Sequence, residues 1–280
     1  MLATLTAQRL PEAATGAPAA SAGAAIAAPD LPAGPTTLAL LNLPSFGDDV
    51  PTTPTLLIAA AGASAGWCEA TLIGSLDDGA SWQTIGQTTA AAVIGSTLGA
   101  LPPAGAALRD MAGTVDVELL GDGMALAGSD ATEASATANL ALIGDELVQF
   151  ATATQTGARR FRLSGLLRGR RGTEWATADH AAGERFVLVD ADTLLGWTLP
   201  ASTIESRVRV AATGVGDLAP AEATIVFQAR ALRPPAPWRS RPLSLRTAPC
   251  RSAGRTAAGR AGSGSTTSTR RWARKPNATA

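Results

Sequence analysis

Between residues 37 and 229, apolar side chains recur in short runs, and turns rich in Gly, Asp and Pro break them up. Residues 37–43 and 56–61 read as apolar strands, the first closed by Pro44 and a Gly47-Asp48-Asp49 turn. Residues 69–75 and 82–87 flank a turn at 77–80 and form a hairpin. VDVELL, residues 115–120, alternates acidic with apolar positions, the pattern of a half-buried strand. Residues 141–143 and 146–152 flank Gly144-Asp145, a second hairpin signal. Residues 160–167, 185–190, 207–212 and 223–229 predict further strands, and residues 194–199 are ambiguous. Residues 130–139 predict a short helix, with Asp130 as N-cap and Glu133 in capping-box position. The pattern predicts a mainly β fold, a short-stranded sandwich or barrel-like module with hairpins and at most one or two short helices.

Four segments are expected. Residues 1–36 form a flexible linker or arm rich in Ala, Pro, Gly and Ser. Residues 37–110 form a β subdomain around the first hairpin, and residues 111–237 a second one around LSGLLRGRRGTE. Residues 238–280 form a disordered basic tail.

Charge changes the picture only once it is divided along the chain. The formal total is zero, but residues 239–280 hold ten basic residues and no acidic one. Residues 1–238 therefore carry 13 basic and 23 acidic side chains, a net of −10. An acidic body argues against nucleic acid as a partner. No charged n-region leads into an apolar core, and no run of about 20 apolar residues occurs, so neither a signal peptide nor a membrane span is expected. Cys68 and Cys250 lack the spacing of a zinc site, and Cys68 reads as a small buried hydrophobe beside Trp67. No nucleotide-binding motif occurs, and neither cofactor nor metal is expected.

SLDDGASW, residues 75–82, matches the Asp-box pattern S-x-D-x-G-x-[ST]-W through Ser75, Asp77, Gly79 and Trp82. Such a box is a folding device: the Asp bonds turn amides, the Gly permits positive φ, and the Trp packs beneath the hairpin. Sialidases share the box but use a Tyr nucleophile, and this chain has no Tyr. The single His180 follows Asp179, but no nucleophile elbow accompanies it, so catalysis is not expected there. The pairs Glu174 with Asp179 and Asp145 with Glu146 are not expected to be glycosidase acids: such pairs arise by chance among 23 acidic residues, and adjacent residues of a strand point to opposite faces.

Residues 159–186 concentrate seven Arg: Arg159, Arg160, Arg162, Arg168, Arg170, Arg171 and Arg185. Gly169 to Gly172 reads as a tight turn projecting guanidiniums. Two uses remain open. The Arg forks meet a partner, with Arg168, Arg170, Arg171, Glu174 and His180 as candidate contacts, or they pair with the chain's own acids, including Glu146, Glu174 and Glu184.

The segments LSGLLRGRRGTEWA and DHAAGERFVLVD, with GDELVQF, TVDVELL, the single-box hairpin and ALRPPAP in the same order, resemble the C-terminal module of the large tail-tip proteins of gene transfer agents and related siphophages. The resemblance covers residues 29–237. It implies a non-catalytic structural component of the tail tip or baseplate in the virion, oligomeric in the particle and beside other tail proteins. The runner-up expectation is a module binding a host surface glycan or receptor, with Trp67, Trp82 or Trp175 stacking on sugar. A third is an accessory of a cell-wall hydrolase. Members of the family are longer and carry a glycosidase-like barrel upstream, and that activity is not transferred to this chain.

The tail reads as translated out of frame after about Pro237. Back-translating residues 265–280 and reading from the third base permits an acidic, Tyr-containing string like the family's continuation. The other frame of the gene tests this directly.

Overall fold

The computed structural model describes residues 34–45, 51–132 and 135–233. The tail expected over 238–280, the frame change near Pro237 and residues 1–33 of the expected arm lie outside them. Thirteen strands run through the described residues: β1 (Thr36–Leu41), β2 (Thr55–Gly62), β3 (Ala70–Ser75), β4 (Gln83–Gln87), β5 (Ile94–Thr97), β6 (Asp110–Leu119), β7 (Leu140–Ile143), β8 (Glu146–Gln155), β9 (Arg160–Leu167), β10 (Arg185–Leu188), β11 (Leu194–Thr198), β12 (Arg207–Gly214) and β13 (Ala221–Val226). The fold is mainly β, as the alternation predicts, and the ambiguous segment at 194–199 is a strand.

All pairings are antiparallel, and they make three sheets. Six consecutive strands close a barrel in the order β10-β5-β6-β9-β8-β7. The flanking strands make a three-stranded sheet, β1-β2-β11, and a four-stranded one, β13-β12-β3-β4. The barrel is thus an insertion between β4 and β11 of a two-sheet sandwich. The division expected at 110/111 does not match this arrangement. It falls at the first residue of β6, and strands from both sides of it pair in every sheet. Residues distant in sequence complete each sandwich sheet: Leu195 lies opposite Ile58, and Val210 opposite Gly74.

Period-two alternation explains how two cores share one sheet. On β2, Leu56, Ile58 and Ala60 face the sandwich core with Leu72, Trp197, Val208, Val210 and Phe227. Their neighbours Ala59 and Ala61 face the other way, onto Leu140, Leu142, Leu147 and Val187 of the barrel wall. The barrel interior holds Val115, Val117, Leu119, Ile143, Phe150, Phe161, Leu163 and Phe186. A strand buried on both faces reads as a continuous apolar run, as TLLIAAAG does. VDVELL keeps its predicted alternation: Val115, Val117 and Leu119 are buried, and Asp116 and Glu118 point outward.

Strand β5 carries no clear sequence signal. It is four residues long and contains Gly95, where an added Cβ would sit 2.4 Å from the Glu118 carbonyl oxygen. The glycine marks a close backbone approach inside the barrel rather than a turn.

The helix expected over 130–139 does not form. A single 3-10 turn covers Asp130–Thr132, and Glu133 lies outside the described residues. Strand β8 takes the groups a helix needs: Gln149 Nε2 donates to the carbonyls of Ser135 and Ala138, both at 2.9 Å. Asn139, at φ +50°, donates Nδ2 to the carbonyls of Ala127 and Phe150. Tertiary hydrogen bonds override a weak local propensity here.

The Asp-box hairpin forms. Ser75 Oγ accepts the Gly79 amide at 2.8 Å, Asp77 Oδ1 accepts the Ser81 amide at 2.9 Å, and Gly79 takes φ +96°. Trp82 departs from expectation. It is 37 % exposed rather than packed beneath the turn, with the Arg209 guanidinium 5.6 Å from its ring centre. Cys68 is also exposed, in the loop between buried Trp67 and β3.

Hydrogen bonds from Ser81 and Ser75 hold the Asp77 carboxyl down at about 2. A depressed folded pKa stabilises above the unfolded value, and the contribution fades as pH falls through the folded one. Asp77→Asn is therefore expected to lower Tm at pH 7, with the gap to the unsubstituted chain closing as pH drops from 3.8 to about 2. Thermal melts at pH 7, 4 and 2 check this, and a gap independent of pH would assign the effect to packing.

Candidate functional site

The Arg-rich segment begins on β9 and ends on β10, and its guanidiniums meet three fates. On the outer barrel wall, β9 lies directly opposite β6, so Arg162 faces Asp116 and Arg160 faces Glu118. Arg162 donates through Nε and Nη2 to the two Asp116 oxygens at 2.7 and 2.8 Å. Those bonds lower the Asp116 pKa and raise that of Arg162. Arg159 reaches Glu118 at 3.2 Å and Asp122 at 3.5 Å. Exposed pairs of this kind contribute about 0–1 kcal/mol each.

Arg168 goes inside. Its side chain has no exposed surface, and neither has that of Glu146, the first residue of β8. Arg168 donates Nε to Glu146 Oε1 at 2.9 Å and Nη2 to Oε2 at 2.8 Å, a two-pronged pair. Its remaining donors reach the carbonyls of Pro102 at 2.7 Å and Thr177 at 3.2 Å. Glu146 Oε1 also accepts the Gly169 amide at 2.6 Å. His180 closes the cluster, with Nε2 2.6 Å from Glu146 Oε2 and Nδ1 2.5 Å from Glu184 Oε2. A neutral imidazole carries one N–H. Carboxylate oxygens lie at both ring nitrogens. Arg168 and Glu146 balance one cation against one anion in the interior. Burial without that balance costs several kcal/mol per ion.

The cluster straps the loop between β9 and β10 onto the barrel. Glu184 accepts the Ala181 amide at 3.0 Å, and the Glu184 amide bonds Thr97 Oγ1 at 3.0 Å. The Thr173 hydroxyl accepts the Leu147 amide at 3.0 Å, and Arg170 Nε donates to Gln149 Oε1 at 2.7 Å. Every one of these contacts joins the loop to β5, β8 or the turn before β10.

Of the five candidate partner contacts, Arg168 is thus no surface contact, and the intramolecular pairing with Glu146 describes it. His180 belongs to the same interior cluster, its side chain only 3 % exposed. Arg170 and Arg171 are half-buried, and Arg171 sits at φ +57°. Glu174 is exposed, and its carboxylate joins no ion pair among the described residues. Of the carboxylate pairs set aside as glycosidase acids, Asp145 lies in the turn before β8 and points to solvent, while Glu146 enters the interior. The sequence offers Glu184 as a counter-ion and Glu146 as a counter-ion or half of a discarded acid pair, and it does not show their convergence on one His. One signal does lie in the sequence: His180 and Glu184 are four residues apart in a Gly-containing turn.

A shallow cleft opens beside the cluster, between the Gly144-Asp145 turn and residues 175–185, lined by Asp145, Trp175, Asp179 and Arg185. Trp175 is 58 % exposed, and the Arg230 guanidinium lies 4.9 Å from its ring centre. Of the other Trp considered for stacking, Trp67 is buried in the sandwich core and Trp82 carries Arg209. Among the described residues no group of His, Cys, Asp and Glu has the geometry to hold a metal, and no helix is long and apolar enough to cross a membrane.

Residues 92–187 match the model of the family described as Rcc01698-like, C-terminal, a family associated with gene-transfer-agent and phage-like proteins. That span starts two residues before β5 and ends within β10, so it coincides with the closed barrel. No curated protein matches the chain.

Proposed function

We propose that this chain is a non-catalytic structural module of the tail tip or baseplate of a phage or gene transfer agent, working in the virion tail beside other tail proteins. The observation that carries the reading is the coincidence of the family match with the six barrel strands. The ion cluster supports it. Arg168, Glu146 and His180 spend their hydrogen-bonding groups on one another and on loop backbone, which suits a fixed scaffold. Arg170 and Arg171, half-buried at the loop turn, remain the residues assigned to neighbouring tail proteins.

The test is particle composition. Purified particles are expected to contain the chain, and Arg170→Ala with Arg171→Ala to lower particle assembly and infectivity. Absence of the chain from particles, or hydrolytic turnover of cell-wall polymer by the purified chain, overturns the reading. Normal assembly of the double variant restricts the turn to stabilising its own barrel.

A further inference from the structure

Arg185 is the one guanidinium of the Arg-rich segment that the cluster and the barrel wall leave unused. It makes no hydrogen bond or ion pair with any described residue. It nevertheless lines three adjoining clefts: the one beside Trp175, one running to Asn42 and Arg230, and one running to Thr37 and Glu118. Arg185 is exposed at the start of β10; the protein packed around it lowers its pKa, and the charge of Asp145 opposes that shift. An exposed guanidinium without a bonded anion can pair with an incoming one at little desolvation cost.

The neighbours define what kind of anion fits. Trp175 lies on the same cleft, 58 % exposed although the Arg230 guanidinium sits 4.9 Å from its ring centre. Asp145, Asp179 and Glu184 add carboxylate acceptors to the lining, Asp145 already 3.4 Å from Arg230 Nη1. A peptide polycarboxylate such as polyglutamate brings no hydroxyl donors to these acceptors. A sugar ring presents hydroxyl donors to them, an apolar face to the indole and, where it carries a carboxylate, an anion to Arg185. The cleft floor includes His180 and Glu184, already fixed by the ion cluster, so little ordering opposes binding. The net acidity of residues 1–238 makes general attraction of polyanions unfavourable, so any affinity must come from local contacts.

We propose that the cleft between Trp175 and Arg185 binds an acidic saccharide, with the sugar ring stacked on Trp175, its carboxylate paired with Arg185, and its hydroxyls donating to Asp145 and Asp179. This site does not depend on the tail-tip reading, and its binding assay is separate from the particle assay.

Affinity electrophoresis of the full chain in native gels tests it, with polygalacturonate and hyaluronate as probes, dextran as the neutral control and polyglutamate as the peptide control. The chain is expected to be retarded by at least one acidic polysaccharide and to pass dextran and polyglutamate freely. Trp175→Ala and Arg185→Gln each raise the dissociation constant about tenfold, the cost of one charge-assisted contact. Arg185→Lys restores only part of the loss, because an ammonium lacks the planar fork. Three results overturn the site: no retardation by either acidic polysaccharide, retardation that survives both substitutions, or equal retardation by dextran or polyglutamate. Thermal melts of each variant separate lost binding from lost fold. Should Arg185→Gln melt early, Trp175→Ala on its exposed turn decides alone.

Discussion

Arg168→Ala is expected to destabilise the protein by about 3–5 kcal/mol, because it leaves the fully buried Glu146 carboxylate without its counter-ion. For a domain of this size that lowers Tm by roughly 6–20 °C. The loss goes beyond Coulomb energy. Two carbonyl contacts disappear with the guanidinium, those to Pro102 and Thr177, and with them much of the tie between the loop and the barrel. Glu146→Ala should cost a similar amount, since it strands Arg168 and also frees the Gly169 amide and one His180 nitrogen. The double variant Arg168→Ala with Glu146→Ala closes the cycle and isolates the pairing. It is expected to be less destabilised than the sum of the single substitutions, by about 0.5–3 kcal/mol. Chemical denaturation of the four proteins in one cycle reads this coupling. Strict additivity would mean that the two residues act independently, and the picture of one charge-balanced unit would fall.

Phe186→Ala should cost about 3–5 kcal/mol, because Phe186 is fully buried in the barrel interior on the short closing strand β10. Strand β10 pairs with β5 on one side and β7 on the other, so it closes the barrel. Its next residue, Val187, faces the opposite way, into the core shared with the sandwich. A cavity at Phe186 therefore loosens closure as well as packing. Hydrogen exchange is expected to rise first along β5, β7 and β10, and later in β12 and β13. Uniform loss of protection across all three sheets would show instead that barrel and sandwich unfold as one unit.

Most of the strands were legible because burial on one face imposes strict alternation. VDVELL, RFRLSGLL and the hairpin strands show it, and their turns carry Gly and Asp. The 37–110 and 111–237 subdomains were not legible as they fold, because pairing between β2 and β11, or β3 and β12, leaves no local mark on either segment. The helix at 130–139 illustrates the same limit in reverse. Its capping pattern is local, while Gln149, which takes its carbonyls, lies on β8.

The sequence by itself determined a β-rich chain with an Asp-box turn and an Arg-dense loop, because strand period, turn chemistry and charge are properties of neighbouring residues. Only the tertiary structure decided which of those Arg are interior. A guanidinium enters a core only where a carboxylate and backbone carbonyls already converge to replace water. Arg168 meets Glu146, Pro102 and Thr177 there, while Arg185, 17 positions later, meets none and stays available to something outside the chain.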